Sequence, residues 1–197
     1  ISGAGAKKSG EAQVYKAEKD GKEYVIKVYR QDISLKEDVA ELLVGKQIPY
    51  LAYMVKIGSV PIRKLDGKLK QYEISPLYRN FPRPVPYKEL RRMIEQVNEG
   101  LHSLHEMRIY HKDIKPANIL IDDENNYRII DFGISSVASE GQTHLITKTG
   151  ISEEYAAPES RSSRKFGPLQ DYYSLGSSLY HLFTGELPYA EMKEEYE

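Results

Sequence analysis

The chain of 197 residues contains no cysteine. This absence excludes disulfide bonds, thiolate metal ligands and a catalytic thiol, and it fits a reducing compartment. No apolar run approaches the ~20 residues that a membrane helix needs, and no signal-like segment begins the sequence. We therefore expect a cytoplasmic segment without membrane contact of its own, although the parent protein could carry an anchor elsewhere.

The chain also has almost no net charge, since its formal charge at pH 7 is −1. Without an overall basic field, neither nucleic acid nor an anionic membrane surface is an expected partner, and any phosphate must be held locally. Hydrophobic residues make up 40% of the chain and charged residues 29%, which allows a sizeable core. The length suits one domain, or two lobes that share a ligand at their seam.

Alternating apolar residues make the first third of the chain typical of β-strands. An Asp20-Gly21 turn predicts a hairpin, and an Asp66-Gly67 turn predicts a second strand pair. Between them, helical spacing predicts one amphipathic helix. The predicted elements are strands at 12–17, 23–29, 53–60 and 68–75 and a helix within 34–46.

A segment with four prolines, 76–86, is the predicted linker, and beyond it the apolar period becomes helical. The sequence therefore predicts two lobes, residues 1–76 and residues 77–197. The predicted elements of the second lobe are a helix at 90–104, a hairpin of 119–121 with 127–130, and a buried helix at 172–184.

Polar side chains concentrate in two short motifs that flank this hairpin. His-Lys-Asp-Ile-Lys-Pro-Ala-Asn at 111–118, followed by Asp-Phe-Gly at 131–133, resembles the catalytic and metal-binding loops of the protein kinase family. The resemblance implies an α+β, two-lobed kinase-like fold, with a small antiparallel-sheet lobe carrying one helix and a mainly helical lobe. It also implies that this helical lobe is incomplete at its C-terminal end, because relatives continue beyond 187–189; the chain is then a fragment or a minimal fold.

The same resemblance implies a role for each polar side chain of the motifs. Asp113 would orient the acceptor hydroxyl and take its proton, while Lys115 would lie against the transferred phosphate. Asn118 and Asp131 would hold Mg²⁺, which prefers oxygen ligands and bridges phosphate oxygens. ATP and Mg²⁺ are therefore the expected cofactors.

Tyr-Val-Ile-Lys at 24–27 is similar to the family's strand motif, in which the lysine, here Lys27, pairs with the α- and β-phosphates. A glutamate of the first helix would hold that lysine; Glu41 is the predicted partner and Glu37 the alternative. The remaining predicted nucleotide contacts are Gly3 and Gly5 in a glycine loop that is longer than usual, Val14, Val25 and Leu120 around the adenine, and Ser75 and Leu77 at the hinge.

The segment 131–159 resembles a kinase activation segment and ends in Ala-Pro-Glu. Ser152 lies where the family usually has threonine, whose hydroxyl contacts the catalytic aspartate and lysine. Thr143, Thr147 and Thr149 are candidate phosphorylation sites or simply polar loop residues. Lysine at position 112, where many relatives have arginine, offers a phosphate a point charge instead of a bidentate fork, so we expect weaker ordering by phosphorylation.

A serine/threonine protein kinase is the predicted function, with a protein Ser or Thr hydroxyl as acceptor, because Lys115-Pro116 resembles that class. Two alternatives stay open: a noncatalytic kinase-like binding module, and a small-molecule phosphotransferase related to antibiotic kinases. The sequence does not indicate an oligomeric state.

Two other polar groups are interpreted as structural. His102 and His105 share a helix but lack a thiolate or carboxylate that completes a metal site. The acidic segment 122–126 lacks the glycine and the terminal glutamate of a calcium loop, and we interpret it as a turn.

Overall fold

An antiparallel sheet and one short helix form the N-terminal part of the computed structural model, which describes residues 7–8, 12–29, 34–61, 69–142, 145–146, 151–163 and 165–188. The elements are β1 (Lys7–Lys8), β2 (Ala12–Lys19), β3 (Lys22–Tyr29), α1 (Glu37–Leu43), β4 (Lys56–Pro61) and β5 (Leu69–Pro76). The strands lie in the order β1-β2-β3-β5-β4. This arrangement confirms the predicted sheet lobe with one helix; the predicted Asp66-Gly67 turn lies outside the described residues.

The turn between β2 and β3 fixes the register of the sheet. Asp20 and Gly21 have φ values of 53° and 72°, and a two-residue hairpin turn of this kind needs positive φ at both positions. Glycine adopts that conformation at little steric cost, and aspartate tolerates it. The register that follows places Lys27 of β3 opposite Val14 of β2 and opposite Glu73 of β5.

Helix α1 is shorter than the predicted 34–46 segment. It ends at Leu43 because Val44 is extended and forms a β-bridge with Met54, and Gly45 follows with φ 74°. Because Met54 forms that bridge, β4 begins at residue 56 rather than at the predicted residue 53. The helix turns Val39, Ala40 and Leu43 inward.

Helices dominate the second part of the chain, as predicted. The helices are α2 (Tyr87–Glu106), α3 (Pro158–Ser163) and α4 (Pro168–Thr184), and the short strands are β6 (Ile109–Tyr110), β7 (Ile119–Ile121), β8 (Tyr127–Ile129), β9 (Ser136–Val137), β10 (Leu145–Ile146) and β11 (Lys165–Phe166). The predicted β7–β8 hairpin is confirmed, and α4 begins earlier than predicted, with Pro168 in its first turn. Among the described residues, no helix has the length and apolar composition of a membrane span.

Backbone hydrogen bonds join the two parts of the chain on both sides of the β7–β8 hairpin. The N–H of Ala52 donates to the carbonyl of Ile129 at 2.8 Å, and the N–H of Ile129 donates to Tyr50 at 2.9 Å. After β5, Arg79 and Ile121 exchange two backbone bonds of 2.8 Å. The residues that follow β8 are therefore held directly beside the sheet.

A continuous apolar core supports this junction. Leu101 and Leu104 of α2 and Ile129 of β8 are fully buried, and Val39 and Leu43 of α1 belong to the same cluster. Gly100 lets α2 approach closely: a Cβ there would lie 3.1 Å from the carbonyl oxygen of Tyr50. The close helix approach thus depends on a missing side chain.

We predict that Gly100→Val lowers the free energy of unfolding by about 1 to 3 kcal/mol, because the added methyl groups overpack the contact between α2 and β8. Urea denaturation measures this change. The matched control is Gly176→Ala in α4, where an added Cβ meets no atom within 4 Å, and where alanine should stabilise the helix by about 0.5 to 1 kcal/mol. A Gly100→Val midpoint equal to that of the parent would contradict the account.

Candidate active site

Asp171 fixes the loop between β6 and β7 from below. Its carboxylate accepts hydrogen bonds from the backbone N–H of His111, at 2.9 Å, and from that of Lys112, at 2.8 Å. It also contacts Nε2 of His105 at 3.0 Å. The side chain of Asp171 is 1% exposed, so these bonds act in a low-dielectric environment where they are strong. Asp171 therefore holds the backbone of the loop that carries Asp113.

The same loop carries Asp113, whose two carboxylate oxygens differ in their hydrogen bonding. Oδ2 lies 2.7 Å from Nζ of Lys115 and accepts Nδ2 of Asn118 at 2.9 Å. Oδ1 is buried and has no hydrogen-bond partner among the described residues. A buried acceptor without a donor is costly, so this oxygen is an available acceptor for a hydroxyl.

Lys115 links the loop to the activation segment. Its ammonium donates to Oγ of Ser152 at 2.8 Å while it pairs with Asp113. The expected contact between this hydroxyl and the lysine is therefore present. Thr143, Thr147 and Thr149 lie outside the described residues.

Asp131 follows β8 and forms an ion pair with Lys27 of the sheet. The residue has φ 68°, a left-handed backbone that few non-glycine residues adopt, although aspartate does so more often than most. Burial opposes ionisation of this carboxyl, but the Lys27 ammonium and the N–H of Gly133 favour it, and the pKa of Asp131 is held below its usual range. Asp131 is thus a fixed carboxylate.

Lys112 also has a left-handed backbone, at φ 68°. Its ammonium donates to Oγ of Ser136 at 2.8 Å, and the ammonium of Lys36 donates to the same hydroxyl. Burial and the neighbouring Lys36 lower the pKa of Lys112 to about 8. Positive charge from two elements therefore converges on Ser136.

The cleft between the sheet and these loops encloses a cavity of about 520 Å³. One end is apolar and lies against the sheet and the segment after β5, and the other carries the charged side chains. The lining residues are Val14, Val25, Lys27, Ala52, Met54, Glu73, Ser75, Pro76, Tyr78, Asp113, Lys115, Ala117, Asn118, Leu120, Ile130, Asp131 and Phe132. A cavity of this size with a few polar groups is typical of a small-molecule site.

The structure brings most of the predicted nucleotide contacts into this cavity. Val14, Val25, Ser75 and Leu120 line it. Leu77 is not among the described lining residues, and its N–H donates to the carbonyl of Glu23 at 3.1 Å. The predicted glycine-loop contacts, Gly3 and Gly5, lie outside the described residues.

The predicted glutamate partner of Lys27 is not beside it. Glu41 and Glu37 are both exposed on α1, and among the ion pairs between described residues that of Lys27 is with Asp131. Among the glutamates of the described residues, the one that lines the cavity with Lys27 is Glu73 of β5. Burial raises the pKa of Glu73, while the Lys27 ammonium and the hydroxyl of Tyr29 oppose that rise.

Sequence reasoning missed Glu73 and Tyr29, as well as the apolar lining from Ala52, Met54 and Tyr78. A signal for Glu73 was present: on a strand, alternate residues share a face, so Glu73 lies on the same face as the predicted pocket residue Ser75. The contributions of Ala52 and Met54 had no local signal because they depend on how the segment after α1 packs.

A small sheet lobe and a helical lobe around this cleft define the class as a two-lobed kinase-like domain. The family model described as "Protein kinase domain" matches residues 4–197, and the chain belongs to this family.

Among known proteins, the chain is similar to the SNF1-related protein kinase catalytic subunit alpha KIN12 of Arabidopsis thaliana, with 40% identity over 101 residues. It is 39% identical over 105 residues to the CBL-interacting serine/threonine-protein kinase 8 of the same plant, and 38% identical over 102 residues to the human Hormonally up-regulated neu tumor-associated kinase. These matches cover 51 to 53% of the chain and 14 to 23% of the relatives. The chain thus spans less than a quarter of their length.

We predict that Asp171→Asn lowers the free energy of unfolding by about 2 to 4 kcal/mol, because the amide replaces a buried acceptor of two backbone N–H groups with a weaker one. Urea denaturation measures the loss, and amide hydrogen exchange at His111 and Lys112 should become faster. The control is Asp123→Asn, since that side chain is 93% exposed. Unchanged exchange at both amides would contradict the role of Asp171.

Proposed function

We propose that the chain is the catalytic region of a serine/threonine protein kinase that transfers the γ-phosphate of ATP to a protein hydroxyl, with Mg²⁺ as cofactor. The observation that carries this proposal is the convergence of Lys27, Asp113, Lys115, Asn118 and Asp131 on one cleft. Phosphoryl transfer needs fixed charge and correct positioning more than covalent chemistry.

Asp113 is the proposed group that accepts the hydroxyl proton. Its Oδ2 is held by Lys115 and Asn118, which fixes the carboxylate, while the buried Oδ1 is left to accept a hydrogen bond from the substrate. A positioned base of this kind accelerates proton transfer without forming a covalent intermediate.

Lys115 is the proposed cation beside the transferred phosphate. It is held between Asp113 and the Ser152 hydroxyl, so its charge stays near the catalytic carboxylate. A preorganised cation in a cleft stabilises negative charge that develops on phosphate oxygens.

Asn118 and Asp131 are the proposed Mg²⁺ ligands. The Asn118 amide nitrogen donates to Asp113, which leaves the amide oxygen as the ligand atom, and the Asp131 carboxyl is ionised at neutral pH. Proteins commonly bind Mg²⁺ through one or two carboxylates together with substrate phosphates. When bound, Mg²⁺ neutralises phosphate charge.

Lys27 and the apolar end of the cleft are the proposed nucleotide contacts. Lys27 is 7% exposed, and its ammonium has three N–H donors, so a phosphate oxygen can compete with Asp131 for it. Val14, Val25 and Leu120 supply apolar surface for the adenine ring. We extend the proposal to lobe limits of 1–76 and 77–197, whose boundary falls where β5 ends at Pro76.

Lys115-Pro116 and the relatives support serine or threonine as the acceptor. One relative is named as a serine/threonine-protein kinase. The segment that resembles a kinase activation segment contacts Lys115 through Ser152, and this favours a protein acceptor over a small molecule.

We predict that Asp113→Asn lowers the rate of phosphate transfer from ATP by about 100-fold or more, because it removes the proton acceptor, while ATP affinity changes only severalfold. Lys27→Ala should weaken the use of ATP through loss of a phosphate contact. Transfer of ³²P to protein substrates, with serine and tyrosine peptides and aminoglycosides as competing acceptors, measures both effects.

The control for this experiment is Asp123→Asn, the same chemical change on the exposed β7–β8 turn. If the folded parent binds ATP but transfers no phosphate to any acceptor, the noncatalytic module is the better description. Transfer to aminoglycosides but not to proteins would instead support the small-molecule phosphotransferase.

A further inference from the structure

We infer that Glu73 of β5, held by the hydroxyl of Tyr29, is the carboxylate that positions Lys27 for the nucleotide phosphates, in place of a glutamate from α1. This inference rests on the proposed function, since it assigns a positioning residue to the same site. It concerns a residue of the sheet itself rather than of the neighbouring helix.

The orientation of α1 makes a helix-borne partner geometrically poor. Its buried face consists of Val39, Ala40 and Leu43. Glu37 and Glu41 are four residues apart and therefore share a face, and both are exposed. Rotating that face towards Lys27 would expose the apolar residues that join α1 to the core.

Glu73, by contrast, is placed by the sheet. It lies directly opposite Lys27 in the antiparallel register of β3 and β5, and side chains of directly opposed residues have Cβ atoms about 4.5 to 5.5 Å apart on the same face. Glu73 is 8% exposed, Lys27 is 7% exposed, and both line the cavity. The backbone pairing of β3 with β5 sets this proximity.

Tyr29 completes the cluster from the same face of β3. Its hydroxyl donates to Oε2 of Glu73 at 2.5 Å, and the Lys27 ammonium lies 4.8 Å from the centre of its ring. The ring attracts the cation and the hydroxyl holds the carboxyl. Lys27 therefore has a carboxyl group and an aromatic face on the sheet side, and Asp131 on the other side.

The two carboxyl groups beside Lys27, those of Asp131 and Glu73, have different roles in the proposed reaction. Asp131 is the proposed Mg²⁺ ligand, so the cation competes with Lys27 for its carboxylate when a nucleotide is bound. Glu73 lies on β5, opposite Lys27, and stays beside Lys27 when Asp131 binds the cation. The position of Lys27 would then depend little on whether α1 moves.

The test compares Glu73→Gln, Tyr29→Phe and Glu41→Gln in the purified protein, with Glu18→Gln on the exposed face of β2 as the matched control. We expect Glu73→Gln to lower kcat/KM for ATP roughly ten- to hundredfold, since misplacing a catalytic group by about 1 Å has effects of that size. Tyr29→Phe should act in the same direction but less, and KM for the protein substrate should not change.

Thermal melting separates this positioning role from a purely structural one. Glutamine removes a buried ionisable group, so the melting temperature of Glu73→Gln should equal or exceed that of the parent while kcat/KM for ATP falls. If Glu73→Gln does not fold, Tyr29→Phe, which keeps the carboxylate, decides the question by its kcat/KM for ATP.

A large loss in Glu41→Gln with parent-like activity in Glu73→Gln and Tyr29→Phe overturns the inference, and so do equal losses in the Glu41 and Glu73 variants. Calorimetric titration with Mg²⁺ and a nonhydrolysable ATP analogue keeps the two proposals distinguishable. If the parent binds the analogue but transfers no phosphate, only the proposed function is contradicted. If the parent and Glu73→Gln bind the analogue with equal affinity, and have equal kcat/KM for ATP where transfer occurs, only the inference is contradicted.

Discussion

The ion pair between Lys27 and Asp131 is the interaction on which the cleft depends. It joins the central strand of the sheet to the segment after β8, and the β-bridge of Leu51 with Ile129 runs beside it. A buried pair of opposite charges is stable only with good geometry and further polar contacts. Asp131 accepts a further hydrogen bond from the N–H of Gly133, and the Lys27 ammonium lies over the ring of Tyr29.

A second constraint holds the catalytic loop next to the Lys27–Asp131 ion pair. Asp171, buried in α4, accepts two successive backbone N–H groups of the loop, and Nε2 of His111 contacts the carbonyl of Ile130 at 3.0 Å, just before Asp131. The loop that carries Asp113 and the loop that carries Asp131 are thus tied to each other and to the helical core. Preorganisation of this kind is what electrostatic catalysis requires.

The sequence predicted the parts of this arrangement that local patterns encode. Asp20-Gly21 set the hairpin and its register, and the spacing within 111–118 and 131–133 identified the charged side chains that line the cleft. The length of α1 was overpredicted because its end depends on a bridge between Val44 and Met54, a tertiary contact that helical periodicity does not contain. For Glu73 the strand alternation predicts the face it shares with Ser75, but its position opposite Lys27 depends on the pairing of β3 with β5.

A crystal structure of the protein with Mg²⁺ and a nonhydrolysable ATP analogue would test most directly whether Lys27 and Asp131 mark a nucleotide site. We expect a triphosphate in the cleft, an opened Lys27–Asp131 pair with Lys27 on a phosphate, and oxygens of Asn118 and Asp131 about 2.0 to 2.1 Å from the cation. A nucleotide bound outside the cleft, with the Lys27–Asp131 pair intact, would contradict this expectation.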